Sequence, residues 1–114
     1  MEEVNVTRES ERRDNPRIRI TRPVVLYHAK FGAEAGLIRD ISLDGAFVES
    51  DWKNLPTFTA VELTVTLRTG EQRIIKEYRL PAVVARRTEN GFGLKFDHLD
   101  MEAYSALLEL LYSN

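Results

Sequence analysis

The chain has 114 residues, 43% hydrophobic and 30% charged, with a formal net charge of −2 and no cysteine. That length supports one domain with one modest core, and the ordinary apolar fraction excludes wholesale disorder. The missing cysteine excludes disulfides, zinc ribbons and thiol nucleophiles, and the slight negative charge argues against a general nucleic-acid binder, which is usually strongly basic.

No apolar run approaches the roughly 18 residues of a membrane-spanning helix. The opening Met1-Glu2-Glu3-Val4-Asn5 lacks the basic segment and apolar stretch of a secretory leader. His28 and His98 lie far apart without metal-ligand spacing and read as structural residues. The expectation is therefore a cytoplasmic, cofactor-free, single-domain protein. Its positive charge is unevenly composed: 12 arginines stand against 4 lysines, and six of the arginines fall between residues 8 and 22. Arginine is the side chain of planar, bidentate recognition, whereas lysine is a point charge. Glu9, Glu11 and Asp14 partly cancel the local field, so this stretch reads as individually placed forks.

Residues 1–16 have no apolar periodicity and are expected to form a flexible arm, which cannot bury enough surface to offset its ordering entropy. From Ile18 the pattern changes. Ile18, Ile20, Val24 and Leu26 alternate with their neighbours as in a strand, and Pro23 predicts either a start at Val24 or an edge position. Gly32 and Gly36 are expected to bracket a short turn. A second strand over 36–42 ends in Ser42-Leu43-Asp44-Gly45, and a third resumes at Ala46–Glu49. Residues 50–59 read as a loop with Trp52 anchoring it to the core.

Val61, Leu63, Val65 and Leu67 share one face of the next strand, followed by a tight turn at Thr69-Gly70-Glu71. A long strand over 73–87 contains Pro81 as a bend or edge, and Asn90-Gly91 is a hairpin signal leading into Phe92–Phe96. After Asp100, the expected N-cap, Met101, Tyr104, Leu108 and Leu111 recur at helical spacing, widened by Leu107 and Leu110. Short antiparallel strands closed by one amphipathic helix predict an all-β domain, a small barrel plugged or capped by that helix.

Two clusters carry potential chemistry. The first is Arg12-Arg13-Asp14-Asn15-Pro16-Arg17, which by itself is more often a solvated tail than a phosphate site. The second is Asp40-Ile41-Ser42-Leu43-Asp44-Gly45. Strand spacing sets Asp40 and Ser42 on one face, and Gly45 allows a positive φ and leaves room for a ligand. Local turn hydrogen bonding explains the same residues more plainly.

Taken together and in this order, Arg13-x-x-x-Arg17 followed by Asp40-x-Ser42-x-x-Gly45 resembles the PilZ domain family. Val83-Val84-Ala85-Arg86-Arg87, Gly91–Phe96 and the terminal helix extend the resemblance over about residues 12–112. It implies a six-stranded antiparallel PilZ-type barrel over 12–114, capped by a C-terminal α-helix and preceded by an arm at 1–11. It also implies a bacterial receptor for cyclic di-GMP (c-di-GMP), with Arg12, Arg13, Arg17, Asp40, Ser42 and Gly45 as the binding residues. Arg12, directly before the arginine motif, implies two stacked ligand molecules per chain.

These residue types suit that ligand. Guanine offers O6 and N7 to an arginine fork, and its N1–H and N2–H donors suit a carboxylate such as Asp40. The expected role is an effector that turns nucleotide binding by the arginine arm into an altered surface for a downstream protein. The alternative is an adaptor of the same fold that works without nucleotide. Catalysis is not expected: Ser42 lacks a nucleophile-elbow context, Asp40 and Asp44 lack a fixed separation, and no phosphate-cradling glycine loop is present. RNA binding is opposed by the net charge and by the lack of a row of strand aromatics.

Overall fold

One-sided burial makes the strands. In β4 (Ala60–Thr69), Val61, Leu63, Val65 and Leu67 are buried while Thr66 and Arg68 stand in solvent. The computed structural model describes residues 16–69 and 74–112. Five further strands share the same logic: β1 (Ile18–His28), β2 (Gly32–Ile41), β3 (Gly45–Glu49), β5 (Ile74–Arg87) and β6 (Gly91–Phe96), and α1 (Met101–Tyr112) follows them. Every pairing is antiparallel, in the order β1-β2-β3-β6-β5-β4, and β4 returns to pair with β1. Closure removes the open edges that would otherwise template aggregation. This is the expected six-stranded antiparallel barrel with a C-terminal helix.

Each strand sends side chains inward: Leu26, Ile38, Ile41, Val48, Leu63, Val65, Leu80, Val84 and Phe92 are fully or almost fully buried. Trp52 and Leu55 pin the loop before β4 to the same core. The helix adds Ala103, Ala106, Leu107, Leu110 and Leu111. Asp100 caps it, its Oδ1 accepting from Ala103 N–H at 2.8 Å. Lys76 of β5 donates to Glu102 at 2.7 Å, a bond that together with the Glu102 charge raises the lysine pKa above its ordinary value.

Three local expectations differ, in whole or in part, from the structure. Pro23 does not delay β1 but does keep the edge position: it pairs with β2 alone, the β1–β4 ladder covering only Val25–Tyr27, so no β4 partner requires its missing N–H. Arg22 Nη1 instead reaches the Thr66 carbonyl at 3.2 Å. The turn after β1 lies before Gly32, whose φ of 93° suits glycine, while Gly36 sits inside β2. There a Cβ would come within 2.7 Å of Val48 Cγ1. The helix also faces the core on a rotated stripe: Met101 and Tyr104 are exposed, and Ala103 and Ala106 take their place. Gly70 and Glu71 of the expected turn lie outside the described residues.

His28 closes β1 structurally. Its Nδ1 accepts from the backbone N–H groups of Lys30 and Phe31 at 2.9 and 3.2 Å, which leaves Nε2–H to donate to Thr59 Oγ1 at 2.7 Å. The β1–β2 turn is thus fastened to the loop before β4. His98 is 91% exposed and adjoins Asp97.

Candidate functional site

The site is built by irregularities on both sides of β2. Toward β3, Ile38 faces Val48 and Asp40 faces Phe47, so Arg39 has no opposite residue. Toward β1, Arg19 faces Asp40 and Arg22 faces Ile38, so Ile20 and Thr21 span the place of Arg39 alone. Extra residues of this kind bend a strand and re-aim side chains. Here strict alternation fails between buried Ile38 and buried Ile41, and Arg39 and Asp40 both reach the outer surface. A polar cleft of about 430 Å³ opens at this point, lined by Arg19, Ile20, Thr21, Arg39 and Asp40.

Arg17 lies just before β1. Continuing the Ile18–Ile41 and Arg19–Asp40 register sets it opposite Ser42 and diagonal to Asp40, within reach of a long side chain. Its Nη1 donates to Asp40 Oδ1 at 2.5 Å. The two side chains remain 40% and 30% exposed, so solvent and solutes reach the pair. Such exposure keeps an ion pair's contribution to folding small. On the other side of Asp40, Arg39 Nη1 lies 3.6 Å from Glu49 Oε1, too far for a hydrogen bond, and both side chains are about half exposed.

Ser42 and Gly45 shape the turn that follows. Ser42 is buried, its N–H donates to the Gly45 carbonyl at 2.8 Å, and its Oγ accepts from Asp44 N–H at 3.1 Å. Phe96 N–H donates to the Asp44 carbonyl at 2.8 Å and so ties the turn to the end of β6. Gly45 is required by packing: a Cβ there would lie 2.0 Å from the Leu94 carbonyl oxygen. Its φ is not positive, and the space beside it is taken by β6, contrary to the expectation of a left-handed residue with room for a ligand.

The structure therefore brings together Arg17 and Asp40 and places Ser42 and Gly45 beneath them as the turn. Asp40 and Ser42 do not share an exposed face, because the bulge turns Asp40 outward and Ser42 is buried beyond the strand end. Arg12 and Arg13 lie outside the described residues. Sequence reasoning missed Arg19 and Arg39. Their proximity in sequence to Arg17 and Asp40 was visible, but their cleft arises from the two bulges, which alternation does not encode. Among the described residues no group of His, Asp or Glu is arranged to hold a metal ion, and no helix is long and apolar enough to cross a membrane.

The PilZ domain family model matches residues 11–113. Among solved structures, the PilZ domain of CeSA from a cellulose-synthesizing bacterium superposes with a TM-score of 0.71 at 23% identity. That alignment covers 86% of this chain and 96% of the other. The Bacillus subtilis inhibitor of motility MotI/DgrA aligns with a TM-score of 0.66 at 18% identity, over 84% of this chain and 47% of that longer one. At these identities the likeness is one of fold. Among curated proteins none matches the chain.

Proposed function

The chain belongs to the PilZ domain family, and from that premise we propose that it is a cyclic di-GMP receptor whose site is centred on Asp40. The observation that carries this reading is a reachable carboxylate, raised on a bulge and bonded through one oxygen to Arg17, at the wall of a polar cleft. Asp40 Oδ2 forms no hydrogen bond to another described residue and is suited to accept from guanine N1–H and N2–H. Arg17 is placed to turn its fork from carboxylate to phosphate or to stack on the base. The roles of Ser42 and Gly45 are to hold the turn that presents Asp40.

Arg12 and Arg13 complete the site from the N-terminal side. In this reading residues 1–11 precede the domain at 12–114, and the ligand pins the segment that carries Arg12, Arg13 and Arg17 against the face with Asp40. Two molecules bind per chain, because Arg12 supplies one more cation for the second guanine and its phosphate charge. The product of binding is a changed surface at the β1–β2 side of the barrel, offered to a downstream protein. Support for this reading comes from the intact motif residues, their family and the exposure of the Arg17–Asp40 pair.

Calorimetric titration tests it. The wild type takes up two equivalents of cyclic di-GMP and ignores GMP. Arg17→Ala and Asp40→Ala each lose about 1–3 kcal/mol of binding free energy, the range for a charge-assisted or bidentate contact. Arg12→Leu lowers the stoichiometry from two to one. Wild-type affinity in both alanine variants would refute the assignment, and a wild-type stoichiometry of one would refute the paired ligand.

A further inference from the structure

We infer that Arg39 reads a second edge of the guanine that Asp40 holds, so that one base is recognised by two consecutive residues of β2. The inference rests on the cyclic di-GMP reading above and adds a specificity-determining residue to it. Consecutive residues of a regular strand point to opposite faces and cannot share a ligand. The bulge removes that restriction: Arg39, with no opposite residue in β3, and Asp40 both stand on the outside of the barrel. Both line the same polar cleft, with Arg19 on the β1 wall directly across from Asp40.

The chemistry of guanine matches this order of side chains. A carboxylate that takes N1–H and N2–H leaves O6 as the next atom around the ring, followed by N7. Both are acceptors, so a donor fork beside the carboxylate falls on them. Arginine is the residue whose two parallel N–H groups fit that pair. Adenine carries an amino donor where guanine has O6, so the same fork would meet a donor and reject it.

Arg39 is held in reserve for this task. Glu49 is its acidic neighbour, but at 3.6 Å and with both side chains half exposed the pair has no hydrogen bond to break. The guanidinium is drawn toward β3 by this exposed ion pair, and the same side chain also lines the cleft. None of the core depends on it, since the flanking Ile38 and Ile41 carry the burial of this strand.

Titrations with cyclic di-GMP and with its 7-deazaguanine analogue, which replaces the N7 acceptor by C–H, test the inference. The wild type binds the analogue about fivefold or more weakly than cyclic di-GMP, the lower end of what one bidentate base contact discriminates. Arg39→Ala weakens cyclic di-GMP about tenfold and binds the two ligands alike. Arg39→Lys keeps the charge but loses the two parallel N–H groups, and it binds cyclic di-GMP less tightly than the wild type. Circular dichroism of both variants matches the wild type. Wild-type affinity in Arg39→Ala, or discrimination retained in that variant, would overturn the role of Arg39. If Asp40→Ala lost binding at the same time, the receptor reading would stand without it. A wild type that binds neither ligand would overturn both.

Discussion

For Asp40 to read a base edge, as proposed, its carboxylate must be reachable and must be aimed, and different residues supply the two conditions. Arg39 supplies reach, because the bulge it creates lifts its neighbour out of the pleat. Aim comes from the turn below: Ser42 bonds within it, Asp44 fastens it to Phe96, and Gly45 lets β6 pass close by. Gly45 is therefore a structural residue first. A Cβ 2.0 Å from the Leu94 carbonyl oxygen forces backbone to move on one strand or the other. Gly45→Ala should destabilise the ligand-free protein by about 1–3 kcal/mol, the usual cost of overpacking. Urea unfolding measures it, and an unchanged midpoint would show that β3 and β6 yield without strain. The glycine itself was legible in the sequence, but its reason was not, because the residue that crowds it is distant in sequence.

At the level of elements, regular pieces were readable and irregular pieces were not. The alternation of Val61, Leu63, Val65 and Leu67 marks β4 because one face of it is buried throughout. The Asn90-Gly91 signal held for a local reason too: Thr88 Oγ1 accepts from Asn90 N–H and Gly91 N–H, both at 3.1 Å. The bulges around Arg39 depend on how β1, β2 and β3 align, which no single strand specifies. The helix lies between these cases. Its position was plain, yet its apolar residues run around more than one face, and the barrel takes Leu107, Leu110 and Leu111 while Met101 and Tyr104 stay exposed. Asp100 fixes where α1 starts, through the bond to Ala103 N–H. Asp100→Ala should cost about 1 kcal/mol of stability, as for other N-caps, with nucleotide affinity unchanged. Thermal melts and titration of the same sample check both halves, and a loss of affinity would couple the helix to the site.

Across the whole molecule, the closed barrel leaves little freedom for a rearrangement of strands, since each has two partners. In the proposed receptor a signal would act on the surface and on the segment ahead of β1. The arginine-rich residues that precede Ile18 are suited to that task, because Arg12, Arg13 and Arg17 are like charges in close sequence that a phosphate ligand would bridge. Fixing five to eight residues costs on the order of 5–15 kcal/mol of conformational entropy, which the charge-assisted contacts to guanine and phosphate must exceed. Amide hydrogen exchange with and without saturating cyclic di-GMP tests this most directly. Protection should rise in residues 8–17 and around Asp40, and stay level across 61–68 in β4 and 92–96 in β6. Unchanged exchange in residues 8–17 and at Asp40 under saturating ligand would contradict a site formed by the arm and the β2 bulge.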